Sequence, residues 1–144
     1  MNREFRRESE MEQPVWKWLE KCGYIVHRQS TLLSGGIPDL LGYSVIEDTF
    51  AAVELKLDRY TIAKEQAECY RCYCQLSYVA FPSQRAERIF NRHRDHLAGS
   101  GIGLLSVKSD SVKILLPANY NRQADFKGLY KRFKREIKKV KGGD

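Results

Sequence analysis

The sequence predicts an α/β protein, a central mixed β-sheet with helices on both faces, and three observations carry that expectation. Segments with helical periodicity alternate with short apolar runs along the chain. The run from Phe50 to Leu57 is apolar except for Glu54 and Lys56, the composition of an interior strand. A chain of 144 residues with 42% hydrophobic content builds one substantial core and scarcely two, so a single domain spanning residues 1–144 is expected.

The elements follow in order. A first helix is predicted from about Arg6 to Cys22, because Val15, Trp16, Leu19 and Cys22 recur at helical spacing before Gly23 stops it. Pro14 belongs to its first turn or marks a kink, and Glu8, Glu12 and Lys21 lie on its polar side. A strand near Tyr24 to Arg28 comes next. The apolar run Leu40 to Ile46 and the strand Phe50 to Leu57 then form a hairpin turned by Glu47-Asp48-Thr49. Strong helix formers predict a second helix from Thr61 to Gln75, followed by a strand from Ser77 to Phe81. A helix near Gln84 to Leu97, short strands at Leu104–Val107 and Val112–Leu116, and a C-terminal helix from about Ala124 to Val140 complete the chain.

The chemistry concentrates in the hairpin. Side chains alternate along a strand, so Val53, Leu55 and Leu57 face one side while Glu54 and Lys56 share the other. Asp39 opens the preceding apolar run, and the hairpin brings it beside Glu54. Two carboxylates held close repel each other and are poorly solvated unless a cation bridges them, and hard oxygen ligands suit Mg²⁺ or Mn²⁺. The plain alternative is the solvated face of an edge strand; the apolar residues around Glu54 and Lys56 argue against it.

The stretch Gly35-Gly36-Ile37-Pro38-Asp39-Leu40-Leu41, followed by Glu54-Leu55-Lys56, resembles the PD-(D/E)XK nuclease superfamily, in particular its virus-type replication-repair and Holliday junction resolvase branches. The resemblance covers about the first eighty residues and implies a restriction-endonuclease-like core over residues 6–116. By that resemblance Asp39 and Glu54, with the Leu55 backbone carbonyl, would hold Mg²⁺, with Mn²⁺ as a substitute. Lys56 would orient or activate water and stabilise charge, and Gln66 of the second helix would position water or phosphate. Glu12 best matches the helical glutamate that assists a second metal, with Glu8 one turn earlier as the alternative. The implied activity is direct hydrolysis of phosphodiester bonds in DNA, leaving a 5′-phosphate and a 3′-hydroxyl, in a repair, recombination, phage or mobile-element setting. Pairing into a homodimer is implied as well.

Other candidates are weaker. Cys69, Cys72 and Cys74 invite a metal reading, but a closed site needs four ligands, Cys22 is distant, and the three fall on the predicted second helix; burial as small apolar groups is expected instead. His93 and His96 lie among Arg88, Arg92 and Arg94, which favours surface contacts. Gly99-Ser100-Gly101-Ile102-Gly103 precedes a strand rather than a helix and reads as a turn.

The net charge of +7 points to a polyanionic partner. The C-terminal segment interleaves basic residues with Phe126, Leu129, Tyr130, Phe133 and Ile137, which describes a helix with one side docked and the other open to phosphates. Lys131, Arg135, Lys138 and Lys139 are the expected contacts there, with Arg88 and Arg92 forming another surface. DNA is the expected partner and RNA an alternative; backbone affinity follows more naturally than base reading. A nucleic-acid-binding protein with the nuclease fold and no cutting activity is the main competitor. A redox or metal sensor built on the cysteines fits less well. With neither a membrane-length apolar run nor the apolar stretch of a signal peptide near Met1, a cytoplasmic location and no membrane partner are expected.

Overall fold

Ala51, Val53 and Leu55 are buried toward one face of β3 (Thr49–Leu55) while Ala52 and Glu54 are buried toward the other. A strand buried on both faces needs layers above and below it, and the helices supply them. The computed structural model describes residues 4–28 and 38–131. Its strands are β1 (Tyr24–Arg28), β2 (Leu40–Ser44), β3, β4 (Leu76–Pro82), β5 (Gly103–Lys108) and β6 (Ser111–Leu116). Its helices are α1 (Glu12–Lys21), α2 (Tyr60–Tyr70) and α3 (Ser83–Ser100), with a 3₁₀ turn at Glu8–Met11 before α1. The strands form one six-stranded sheet in chain order. Neighbours are antiparallel at β1–β2, β2–β3 and β5–β6, and parallel at β3–β4 and β4–β5. The expected mixed sheet flanked by helices is therefore present.

Alternation along the strands sorts the core into layers. Met11, Val15 and Leu19 pack with Val53, Leu55, Ala80, Leu105 and Val107, which puts α1 on one face. Tyr60, Ala63 and Ala67 of α2 and Ala86, Ile89 and Leu97 of α3 pack with Val79, Phe81 and Leu104 on the other. Leu129, with Phe126 and Tyr130, joins Leu41, Phe50, Ala52 and Tyr70 on that second face. The chain is helical from Lys127 to Lys131, so the apolar side expected of the C-terminal helix is docked there; Arg135, Lys138 and Lys139 lie outside the described residues.

Three expectations need correction. The first helix is interrupted: the 3₁₀ turn precedes α1, and Gly23 (φ +94°) ends the segment as expected. The strand through Glu54 stops at Leu55, two residues before Leu57. The second helix stops at Tyr70 rather than Gln75, because the following carbonyls find partners elsewhere. Arg71 O accepts from the Asn121 side chain (2.7 Å), Cys72 O from the Asp125 N–H (2.9 Å) and Gln75 O from the Asn121 N–H (2.8 Å). Cys69 and Cys72 are consequently exposed, as is Cys22, and only Cys74 is buried.

β4 and β5 meet at Gly103, which pairs with Tyr78. A Cβ there would stand 2.5 Å from Tyr78 Cδ1 and 2.8 Å from the Ala118 nitrogen, backbone that cannot step aside. Gly103→Ala is expected to destabilise the protein by about 1–3 kcal/mol, the usual range for an overpacked interior. Urea unfolding would register this as a lower midpoint at an unchanged slope.

Candidate active site where β2 and β3 meet α2

The β2–β3 register places Leu40 opposite Val53. One further step places Asp39 opposite Glu54, and directly opposed residues share a face of the sheet. The two carboxyl groups lie within hydrogen-bonding reach of each other. Asp39 Oδ2 accepts the Leu55 N–H at 2.7 Å, and Glu54 Oε1 accepts the Tyr70 hydroxyl at 2.7 Å. Lys56 Nζ stands 3.8 Å from Glu54 Oε2. A strand residue directs its N–H and C=O to the same edge, and consecutive residues alternate. The Leu55 N–H goes to Asp39 while the Lys56 N–H goes to Ala80 O at 3.0 Å, so the Leu55 carbonyl is directed to the Asp39 side. Asp39, Glu54, Leu55 and Lys56 thus converge.

Burial dominates the electrostatics. Glu54 is 4% exposed, and desolvation followed by the Asp39 charge pushes its pKa up to about 7, opposed by the Tyr70 hydrogen bond and by Lys56. Asp39 is raised as well, first by burial and then by the Glu8 charge, against the lowering effects of the Leu55 N–H and Lys56. Burial and the bond to Glu54 raise Tyr70, so its hydroxyl remains a donor. The pair retains a proton near neutral pH, the behaviour of carboxyl groups held close together and away from water.

The helical glutamates are placed differently from the preferred expectation. Glu12 lies on the α1 side of the sheet, with Oε1 2.9 Å from Arg28 Nε. That contact is an ion pair without hydrogen-bond alignment, so the buried oxygen has no hydrogen-bond donor among the described residues. Glu8 Oε2 instead accepts the Leu57 N–H at 3.2 Å, just past the end of β3, and its charge is felt at Asp39. Glu8, and not Glu12, is the glutamate beside the pair. Gln66 is partly buried one turn before Tyr70, and its Oε1 is enclosed without a hydrogen-bond donor among the described residues. Also among the described residues, no group of three or more His, Cys, Asp or Glu side chains gathers as a metal cage. The donor set here is two carboxylates and a backbone carbonyl.

Of the residues expected to contact nucleic acid, Arg88 lines a cavity of about 370 Å³ with Leu57, Asp58, Ser83 and Arg85 at the carboxyl ends of β3 and β4. Arg92 is exposed on α3 and Lys131 is exposed at the end of the described helix. Among the described residues no helix is long and apolar enough to cross a membrane.

No protein-family model matches the chain, and no curated protein does. Among solved structures, the SPO1766 protein of unknown function from Silicibacter pomeroyi matches with a TM-score of 0.64 over 96% of this chain and 94% of that one, at 14% identity. This likeness is one of fold.

Sequence reasoning did not single out Tyr70, although its place four residues after Gln66 puts both on one helix face. It ranked Glu8 below Glu12 because a continuous helix gives no hint that a 3₁₀ turn carries Glu8 toward β3.

The raised carboxylates fix a pH dependence. A folded pKa for Glu54 above the unfolded value means that the folded state holds more protons between about pH 4.5 and 7, so stability is greatest below that window and falls as pH rises through it. Glu54→Gln keeps an acceptor for Tyr70 and cannot ionise. It is expected to match the wild type near pH 4 and exceed it at pH 8 by about 3 kcal/mol, at about 1.4 kcal/mol per pKa unit. Tyr70→Phe, which removes a bond favouring the carboxylate, should move the window upward. Thermal unfolding across pH reads both effects, and identical pH profiles for wild type and Glu54→Gln would show that Glu54 does not carry the dependence.

Proposed function

We propose that the chain is a metal-dependent nuclease that hydrolyses phosphodiester bonds in DNA. The observation that carries this reading is the buried Asp39–Glu54 pair with Lys56 Nζ 3.8 Å from Glu54. The donor set suits Mg²⁺, which keeps several of its waters and takes only one or two carboxylates beside phosphate oxygens. Asp39, Glu54 and the Leu55 carbonyl would hold the ion, and Mn²⁺ would substitute. A divalent cation there supplies Lewis acidity and lowers the pKa of bound water.

The chain's own residues divide the remaining work. Tyr70 fixes one oxygen of Glu54 and leaves the other facing Lys56. The Lys56 ammonium offers a compact, mobile charge for a phosphate oxygen as negative charge grows in the transition state. Gln66 brings an amide one turn from Tyr70 to position water or phosphate, and Glu8 adds a carboxylate beside Asp39. Attack is direct, with a 5′-phosphate and a 3′-hydroxyl as products. Lys131, Arg135, Lys138 and Lys139 of the C-terminal segment, with Arg88 and Arg92, supply sequence-independent phosphate affinity. Cutting both strands of a duplex takes two such sites, so the reading includes a homodimer.

A Mg²⁺/Mn²⁺ cleavage assay over duplex, single-stranded, junction and flap DNA and over RNA tests the proposal, with calorimetry of Mn²⁺ binding alongside. Asp39→Ala and Glu54→Ala are expected to abolish both cleavage and Mn²⁺ binding. Lys56→Ala should lower cleavage by about a hundredfold or more while leaving Mn²⁺ affinity within a few-fold, because it removes a transition-state cation and no ligand. Nucleic-acid binding with no cleavage of any form would assign the fold to a non-catalytic binding protein instead.

A further inference from the structure

A second cluster lies a short distance beyond Lys56. Arg59, Tyr60, Thr61 and Ile62 at the start of α2 and Arg85, His93 and His96 of α3 line an open cavity of about 610 Å³. Among the described residues no carboxylate lines it. The Tyr60 ring stacks on His93 at 4.3 Å and 10°, and its hydroxyl is 2.9 Å from His96 Nδ1. With Nδ1 engaged, Nε2 is the ring nitrogen of His96 left for a ligand. Asp58 Oδ1 holds Arg85 Nη2 at 2.8 Å and orients the guanidinium, whereas Arg85 Nε is enclosed with no acceptor among the described residues. Arg59 has no ion-pair partner among the described residues. It sits at φ +61°, ψ +59°.

This chemistry selects a phosphate. Guanidinium groups and ring nitrogens converge on one open space, and a phosphate oxygen matches planar donors of that kind. Position narrows the source. Arg59 follows Lys56 by three residues, a reach of at most about 11 Å. Phosphates of one strand recur about every 3.4 Å along a duplex axis, so the cavity falls within about three nucleotides of the carboxylate pair. We propose that the cavity is a phosphate-binding subsite for the strand held at Asp39 and Glu54, built from Arg59, Arg85 and His96 with Tyr60 and His93 as its wall. It rests on the nuclease reading for the identity of the strand.

Arg59→Gly separates binding from folding, because glycine adopts the left-handed backbone at this position more readily than arginine and leaves the cavity wall in place. Fluorescence anisotropy of the full chain with labelled DNA oligonucleotides in EDTA, each made with a 5′-phosphate, a 3′-phosphate or neither, gives the readout. Arg59→Gly and Arg85→Gln are each expected to weaken binding about tenfold and to lower the slope of log affinity against log salt by about one phosphate contact, with the Arg59→Gly melting temperature no lower than wild type. A loss confined to one terminally phosphorylated oligonucleotide identifies the ligand as a chain end, and an equal loss on all three identifies an internal phosphodiester. Wild-type affinity and salt slope in a folded Arg59→Gly overturn the subsite, whatever the cleavage assay shows. An Arg59-dependent salt slope in a protein that cuts no nucleic acid leaves the subsite standing and removes the nuclease reading.

Discussion

The antiparallel register of β2 on β3 is the constraint on which the rest depends. With Leu40 opposite Val53, Asp39 meets Glu54 and its carboxylate takes the Leu55 N–H. Slipping the pairing by a single residue would turn every side chain of one strand to the opposite face, carrying Leu41 out of the core it fills and burying Asp39 among the residues beneath α1. Such a slip is resisted by the core on both faces, since Leu40 and Leu41 are each fully buried. The turn from Val45 to Asp48 holds the same register, with the Tyr43 hydroxyl donating to Asp48 at 2.7 Å and the Glu47 N–H donating to Ser44 Oγ at 3.2 Å. Apolar burial thus enforces the meeting of two groups that electrostatics alone would separate.

Holding them together has an energetic consequence. Desolvation raises both carboxyl groups, with the Asp39 charge adding to it at Glu54 and the Glu8 charge at Asp39, and among the described residues the compensation consists of the Tyr70 hydroxyl, the Leu55 N–H and an ammonium 3.8 Å away. Well-packed apolar residues of similar volume would be more stable at these positions. The arrangement therefore opposes stability at neutral pH, near the carboxyl end of an interior strand of the sheet. Local rules broken without local compensation mark sites whose partner is a ligand.

Much of this was legible in the sequence because periodicity records burial. The alternation through Ala52-Val53-Glu54-Leu55-Lys56-Leu57 assigned the faces that the structure shows, and the order of elements gave the mixed sheet. What the sequence did not disclose depends on contacts between distant segments. The second helix stops at Tyr70 because Asn121 and Asp125, some fifty residues later, take the carbonyls that would have continued it, and no local propensity records that. Glu8 overtakes Glu12 because a 3₁₀ turn advances the chain with a different period, which leaves Glu12 to Arg28. The cavity beside Tyr60 joins residues from α2 and α3, and His93 and His96 alone resembled ordinary surface side chains.

The sheet's change of sense explains why opposite charges gather at one end. β2 begins where β3 ends, since they are antiparallel, and β4 ends beside β3, since those two are parallel. The carboxyl ends of parallel strands are where open α/β sheets receive ligands, because the following helices start there. Here α2 follows β3 with Arg59 at its start, and α3 follows β4 with Arg85 and Arg88 in its first turns. A buried anionic pair, partly offset by Lys56, consequently stands beside a cationic rim of which Asp58 holds Arg85. A polyanion alone would suit the rim and be repelled by the carboxylates; a metal ion alone would suit the carboxylates and be repelled by the rim. A phosphodiester strand taken up together with a divalent cation satisfies both at once, and few other ligands carry both charges in that order.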